Sequence, residues 1–84
     1  KMKAFKFVIS TPDGNVFEGD VSGISLMGSE GSLSILAGHI PFVTATKPCD
    51  VKITEENGEV KTIKASEGLL TVSKEKTVLL CSPN

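Results

Sequence analysis

Three side chains in this sequence could support nucleophilic chemistry: the single histidine, His39, and the two cysteines, Cys49 and Cys81. A thiol beside an imidazole can act as a nucleophile that is activated by a neighbouring base. Neither cysteine follows a strand in a nucleophile-elbow pattern, and neither begins a helix, where a thiol pKa is lowered. A dyad also needs the two side chains to meet in space, which spacing alone does not establish. A cysteine–histidine enzyme is therefore the least favoured of the three functions considered in this section.

The sequence indicates metal binding and phosphate binding no more strongly than nucleophilic catalysis. One histidine and two distant cysteines cannot supply the four ligands of a structural zinc site. Glu55, Glu56 and Glu59 lie close together in the sequence, but they are more simply the solvated tip of a hairpin that keeps strand edges from pairing. The Gly-Ser-Glu-Gly loop at residues 28–31 lacks the lysine and the following helix of a phosphate-binding loop. The sequence implies no catalytic residue, metal or cofactor.

The composition restricts the possible partners. Nine lysines against ten acidic residues leave a net charge of −1, and the lysines are scattered. Arginine, which grips phosphates and guanine edges best, is absent. We therefore expect no nucleic-acid partner. There is no signal peptide and no apolar run near the length of a membrane span, so we expect two reduced, separate thiols in a cytosolic protein rather than a structural disulfide.

The elements that position these residues are predicted to be short β-strands. Valine, isoleucine and threonine, which favour strands, make up a quarter of the 84 residues. Eight glycines and four prolines cut the chain into pieces, most of them too short for a stable helix. The predicted strands cover residues 3–10, 16–18, 21–27, 32–36, 42–46, 51–54 and 60–65, followed by a hairpin over residues 69–82.

Turn signals separate these strands. Thr-Pro-Asp-Gly-Asn at residues 11–15 is a turn, and Asn57-Gly58 predicts a hairpin between its flanking strands. Residues 69–82 contain no helix breaker, but two apolar clusters flank a polar centre there, which favours a hairpin over a helix. About eight to ten short strands predict an all-β fold. We expect a flattened β-sandwich of two sheets, formed by residues 1–84 as one domain.

Residues 28–48 carry the most specific pattern: Gly-Ser-Glu-Gly-Ser-Leu-Ser-Ile-Leu-Ala-Gly-His-Ile-Pro-Phe-Val-Thr-Ala-Thr-Lys-Pro. Turn chemistry accounts for the glycines and prolines as residue types. It does not account for their joint order. The succession of Gly-Ser-Glu-Gly, Leu-x-Ile, Gly-His-x-Pro and Thr-Ala-x-Lys-Pro resembles the signature of the N-terminal β-sandwich domain of the ε subunit of F-type ATP synthases.

The resemblance covers nearly the whole chain, from Phe5 to Leu80. The segments 17–19 (Phe-Glu-Gly), 51–53, 66–72 and 77–80 are similar to family elements in the family's order. Cys49 and Glu67 stand where the family usually has glycine, and Cys81-Ser82 where it has Ala-Asp. The chain ends where the family's two-helix C-terminal domain would begin. We expect either a short gene product or, preferably, an excised domain, and in both cases the helical hairpin is absent from this chain.

The resemblance implies a rotor subunit of the proton-translocating ATP synthase. Such a subunit lies beside the γ subunit at the foot of the central stalk and on the ring of c subunits, and it couples ring rotation to γ during ATP synthesis. It is not catalytic and has no nucleic-acid partner. It is peripheral, without membrane insertion, on the cytoplasmic face of an energy-transducing membrane, which we expect to be the bacterial plasma membrane.

The resemblance also implies which residues face each partner. The c-ring-facing set is a loop and a nearby turn, consisting of Gly28, Ser29, Glu30, Gly31, Ser32, Gly38 and His39. For γ, the candidates are Phe42, Val43 and Thr44, although alternation leaves open whether Phe42 or Val43 belongs to the core. The alternative function is a free-standing β-sandwich recognition module that presents the same loops to an unrelated ligand.

Overall fold

The computed structural model describes residues 3–38 and 40–83. The described part contains eight strands and no helix. In chain order these are β1 Phe5–Thr11, β2 Gly14–Gly28, β3 Gly31–Leu36, β4 Phe42–Thr46, β5 Cys49–Glu55, β6 Val60–Ala65, β7 Gly68–Val72 and β8 Lys76–Cys81. The all-β prediction is confirmed, and so is the hairpin predicted for residues 69–82.

The strands form one continuous sheet that folds into two layers. Their hydrogen-bonded order is β1-β8-β7-β4-β2-β5-β6, with β3 on β2 and a further pairing of β1 with β2. Because β1 and β4 both return to β2, the path closes on itself. The first layer contains β1, β8, β7 and β4, and the second contains β3, the C-terminal half of β2, β5 and β6. The structure is thus the predicted sandwich, with its two layers joined through β2.

The strand β2 is longer than predicted. It runs unbroken for 15 residues, whereas the sequence predicted two strands separated at Gly19. Gly19 pairs with Phe7 inside the strand, and the ring of Phe17 lies 3.6 Å from the position that a Cβ of Gly19 would occupy. That distance is an ordinary van der Waals contact, so Gly19 neither ends the strand nor is required for packing.

A bulge in β2 carries the strand from one layer to the other. The register with β5 shifts between Val21 and Gly23, leaving Ser22 unpaired. Before the bulge Val21 faces the interior, and after it Ile24 and Leu26 do, so the inward side changes from odd to even residues. The Ser22 hydroxyl donates to two carbonyls of β5 at 3.3 and 3.4 Å. The bulge thus gives one strand a buried side in both layers.

The core is thin and mostly aliphatic. Phe7 is fully buried, and its ring centroid lies 5.9 Å from that of Phe17. Around it pack aliphatic side chains from both layers, including Ile9, Val21, Ile24, Leu26, Ile35, Val51, Ile53, Leu70, Val72 and Leu79. Both layers therefore share one core.

The β5–β6 hairpin is confirmed, but its turn differs from the two-residue type that Asn-Gly favours. Four residues, 56–59, connect the strands. The Gly58 N–H donates to the Glu55 carbonyl at 2.9 Å, and the Asn57 side chain accepts from the Glu59 N–H at 3.0 Å. Gly58 has φ +93°, a conformation that favours glycine. The glycine is used as predicted, in a longer loop.

Candidate interaction surfaces

The turn between β2 and β3 presents a small polar tip. Ser29 and Glu30 form it, and both are exposed. Gly31 has φ +131°, and a Cβ on the buried Gly28 would lie 2.8 Å from a methyl carbon of Leu33. Both glycines of the Gly-Ser-Glu-Gly motif therefore have a structural role, because one permits the turn and the other permits close packing. Ser32, just after the turn, is exposed on β3.

Backbone hydrogen bonds fix this turn to the end of β4. The Ser29 N–H donates to the Ala45 carbonyl at 3.0 Å, and the Lys47 N–H donates to the Met27 carbonyl at 2.9 Å. These bonds join the Gly-Ser-Glu-Gly part of the motif to its Thr-Ala-x-Lys-Pro part. The order of residues 28–48 thus corresponds to one clamped corner of the sandwich, which holds the polar tip in place.

The second turn of the predicted c-ring-facing set lies elsewhere. The turn at residues 29–30 precedes β3, and Gly38 follows the other end of this strand. The six residues of β3 separate the two turns by about 17 Å. Gly38 lines the same cavity as Phe5, Val72 and Ser73, at the opposite end of the sandwich. His39 lies outside the described residues. The expectation that the two turns are near each other is therefore wrong.

The three predicted γ-facing residues point to two different sides of β4. Val43 is exposed, with 59% of its surface accessible. Phe42 packs against the core, and Thr44 lies opposite the fully buried Leu70. Strand pairing thus resolves the alternative that alternation left open, because Phe42 faces inward and Val43 faces outward.

Val43 belongs to an outward-facing surface that we call the apolar face. The registers of the first layer align Val43 with Thr71 of β7, Val78 of β8 and Val8 of β1. The next row holds Ala45, Leu69, Leu80 and Ser10. Leu69 and Leu80 are 43% and 50% exposed. Val8 is buried, so the exposed aliphatic members of the face are Val43, Ala45, Leu69 and Leu80. A contiguous group of this kind is a candidate interaction site. Our sequence reasoning missed Leu69, Val78 and Leu80, although alternation within their apolar clusters could have found them.

The outward side of the second layer has a different character, and we call it the polar face. Its central row aligns Ser34, Ser25, Lys52 and Thr62. The hydroxyls of Ser25 and Ser34 lie 3.1 Å apart. Exposed apolar side chains here, such as Leu36 and Val60, stand at opposite margins with Gly23 and Thr54 between them. Within residues 3–38 and 40–83, only the apolar face offers a continuous hydrophobic surface.

Charges mark one margin of the apolar face. Lys6 of β1 forms an ion pair with Glu18 at 3.3 Å, and this lysine lowers the pKa of the Glu18 carboxyl, first by its hydrogen bond. Lys76 lies opposite Lys6 on β8. Exposed pairs of this kind add little to stability. They give the apolar face a polar rim, as protein interfaces have.

The histidine of the cysteine–histidine pair considered from the sequence, His39, lies outside the described residues. Both cysteines are free thiols, and Cys49 accepts a hydrogen bond from the Met27 N–H at 3.4 Å. Burial is the main cause that raises the pKa of the Cys81 thiol, and the nearby Cys49 adds to it. The described residues contain no group of three side chains able to hold a metal ion. No helix in residues 3–38 and 40–83 is long and apolar enough to span a bilayer.

Comparison with known proteins decides the family. Residues 4–83 match the model of the ATP synthase, Delta/Epsilon chain, beta-sandwich domain. The chain belongs to this family. Among curated relatives, the ATP synthase epsilon chain of Clostridium perfringens is 41% identical over 71 residues, covering 84% of this chain and 53% of the relative. That of Clostridium novyi is 39% identical over 79 residues, covering 94% and 60%. This delta/epsilon-type domain therefore spans a little over half the length of these relatives.

Solved structures share its fold. A chain in the structure of the Euglena gracilis mitochondrial ATP synthase superposes with a TM-score of 0.86 at 19% identity, over 96% of this chain and 52% of that one. A chain of the Tetrahymena thermophila mitochondrial ATP synthase gives 0.75 at 19% identity, over 99% and 66%. The delta/epsilon-type sandwich is thus retained at low sequence identity.

Proposed function

We propose that this chain is the sandwich domain of a central-stalk rotor subunit, which couples rotation of the c ring to the γ subunit during ATP synthesis. The observation that carries the proposal is the family match over residues 4–83. The structural neighbours come from complexes described as F1/c-ring and central stalk/c-ring assemblies, which supports γ and the c ring as partners. The role is mechanical, and the domain itself is not catalytic.

The polar tip at residues 29–30 is the proposed c-ring contact. Ser29, Glu30 and Ser32 are exposed there, and the backbone bonds to β4 hold the tip in place. A short polar turn on a rigid sheet can dock through hydrogen bonds without exposing apolar surface. Gly28 and Gly31 support the contact by shaping the turn. Because Gly38 lies at the opposite end of β3, that turn is not part of the same contact.

The apolar face is the proposed γ contact. Val43, Leu69 and Leu80 supply its exposed aliphatic surface. Phe42 and Thr44 act from the inner side, by holding β4 in position. A torque-bearing contact must exclude water over a sizeable area, on the order of 1,000 Å² in total. The two proposed contacts use different parts of the domain, so γ and the ring can be bound together.

The proposed location follows from these partners. The domain is peripheral to the membrane-bound ATP synthase, on the cytoplasmic face of the energy-transducing membrane. In a bacterium this is the plasma membrane. The domain reaches the membrane only through the ring and does not insert into lipid.

Co-purification tests the rotor role. The chain is mixed with the γ subunit and the detergent-solubilised c ring of its own organism, and complexes are isolated at several salt concentrations. We expect a ternary complex, with γ binding retained at higher salt than ring binding, because the apolar face depends less on charge than the polar tip. Failure to bind either partner at every salt concentration would refute the rotor role and favour a free-standing recognition module.

A further inference from the structure

One edge of β4 offers unpaired backbone groups to a partner. The Ala45 carbonyl and the Lys47 N–H both point towards β2. Backbone groups alternate in direction along a strand. The N–H and C=O of Val43 and the N–H of Ala45 therefore point to the same side as the Ala45 carbonyl, away from β7. The backbone groups of Phe42 and Thr44 point towards β7. β2 pairs with β4 only at Thr46. Among the described residues, three backbone groups of β4 therefore remain at a free edge.

This free edge lacks the devices that normally protect one. No residue from 42 to 46 is charged or a proline, and the register of β4 with β7 contains no bulge. By contrast β6, which pairs only with β5, carries the exposed lysines Lys61 and Lys64. Charged side chains, prolines and bulges are the usual protection against strand addition. The edge of β6 is thus protected against strand addition, whereas the edge of β4 is not.

The free edge is also continuous with the apolar face, through Val43. The free edge of β3 is uncharged too, but it borders the polar face, where Ser34 and Ser25 are the neighbours. A strand added to β4 would extend the first layer and the apolar face together. Of the strands in the described part of the chain, only β4 joins unpaired hydrogen-bonding groups to an exposed aliphatic surface.

We propose that β4 accepts an extended segment of the γ subunit by β-strand addition. This inference rests on the proposed rotor function and specifies how γ is held. Main-chain hydrogen bonds to Val43 and Ala45 fix the register, and alternate apolar side chains of the γ segment extend the apolar face beyond Val43. The added segment is uncharged at its centre, because β4 offers no charge to pair with.

Residue-resolved hydrogen exchange tests the proposal on the isotope-labelled chain, alone and saturated with γ. In the free chain we expect the amides of Val43 and Ala45 to exchange quickly and that of Thr44, bonded within the layer, to be protected. On γ binding we expect exchange at Val43 and Ala45 to slow by at least about tenfold, with Thr44 unchanged, because strand hydrogen bonds protect amides from solvent.

A backbone ester at Val43 gives a second readout, because it removes the outward N–H and keeps the side chain. Loss of one hydrogen bond should weaken γ binding about twofold to tenfold. The matched control is an ester at Ser34. The N–H and C=O of Met27 point away from β3, towards β4 and β5. Met27 and Ser32, like Ser25 and Ser34, are therefore non-hydrogen-bonded pairs, and the amides of Ser32 and Ser34 point to the free edge of β3. That ester should leave γ affinity unchanged.

The outcomes separate the two proposals. If γ binds but the Val43 and Ala45 amides still exchange quickly, strand addition is wrong while the rotor function stands. If both esters weaken binding equally, β4 has no special role and strand addition is again overturned. Protection of these amides without γ, rising with protein concentration, would assign the edge to a second copy of the chain. Absence of any γ binding overturns both proposals.

Discussion

The side chain of Thr46 is buried, and its hydroxyl has no hydrogen-bond partner among the described residues. Burying an unpaired hydroxyl costs free energy that an apolar group of the same shape does not. We therefore expect Thr46→Val to raise the free energy of unfolding by about 1 kcal/mol. Urea denaturation at constant m-value measures the change.

Thr46→Ser is the matched control for this site. It keeps the hydroxyl and deletes the methyl group, so we expect it to lower stability by about 1 kcal/mol. If both substitutions destabilised the domain equally, the hydroxyl would have a partner in solution, and the reasoning for Thr46 would be wrong.

The two thiols should differ in reactivity. Burial raises the pKa of Cys81, and 8% of its surface is exposed. The thiolate is the species that is alkylated. At neutral pH we expect iodoacetamide to label Cys49 well before Cys81 in the folded chain, and labelling of Cys81 to begin at higher pH than in the urea-unfolded chain. Peptide mass spectrometry over a pH series measures both rates, and equal rates would contradict the assignment.

Single residues show where sequence reasoning reaches its limit. The exposure of Ser29 and Glu30 followed from turn chemistry, because a tight turn between two strands projects its central residues. The sequence did not show which of Phe42 and Val43 faces the core, because the side chains of a five-residue strand can alternate with either set facing inward. Pairing with β7, whose Leu70 is fully buried, decides between the two sets.

At the level of strands, β4, β6 and the final hairpin were predictable, since alternation and turn residues agreed there. β2 was not, because Gly19 indicates a break in the sequence, whereas in the structure it is an ordinary paired strand residue opposite Phe7. The bulge at Ser22 left no sequence signal that we recognised. It changes which side chains face inward midway through the strand, so no single period fits the whole of β2.

Gly68 at the start of β7 illustrates a glycine that packing requires. A Cβ there would collide with the Leu80 carbonyl of the neighbouring strand. Gly68→Ala must move backbone, and we expect it to destabilise the domain by about 3 kcal/mol. Gly19→Ala is the comparison, because its Cβ would meet only the Phe17 ring at 3.6 Å, an ordinary contact.

We expect the Gly19 variant to stay within about 1 kcal/mol of the original chain. Thermal unfolding of both variants tests the pair. Similar melting temperatures for the two would show that β7 and β8 can separate at this point without cost.

For the whole molecule, the decisive property is that its two outward sides differ. The apolar face combines side chains from β1, β8, β7 and β4, which are far apart in the sequence. No local pattern contains it, so sequence reasoning found only Val43. The family resemblance supplied the domain and the identity of its partners as expectations. The apolar face became visible only when the strand registers aligned its two rows.

A charge placed on either face tests this difference. Leu80→Lys puts an ammonium group at the centre of the apolar face, and Thr62→Lys puts one on the polar face. Both sites are exposed, so folding stability should change by less than about 0.5 kcal/mol. We expect Leu80→Lys to weaken γ binding about tenfold and Thr62→Lys to leave it unchanged, as measured by titration calorimetry. Equal affinities would exclude the apolar face as the γ contact.

The parallel pairing of β1 with β8 has a consequence for how the chain reaches its native state. Lys6 lies opposite Lys76, 70 positions further along, so this ladder forms only after most of the chain has been ordered. Contacts between residues so far apart carry a large loop-closure cost before they contribute any stability. Folding times of milliseconds to seconds are typical of such topologies. During synthesis, β1 can meanwhile pair with β2, its immediate neighbour, and so keep one of its edges covered until β8 leaves the ribosome.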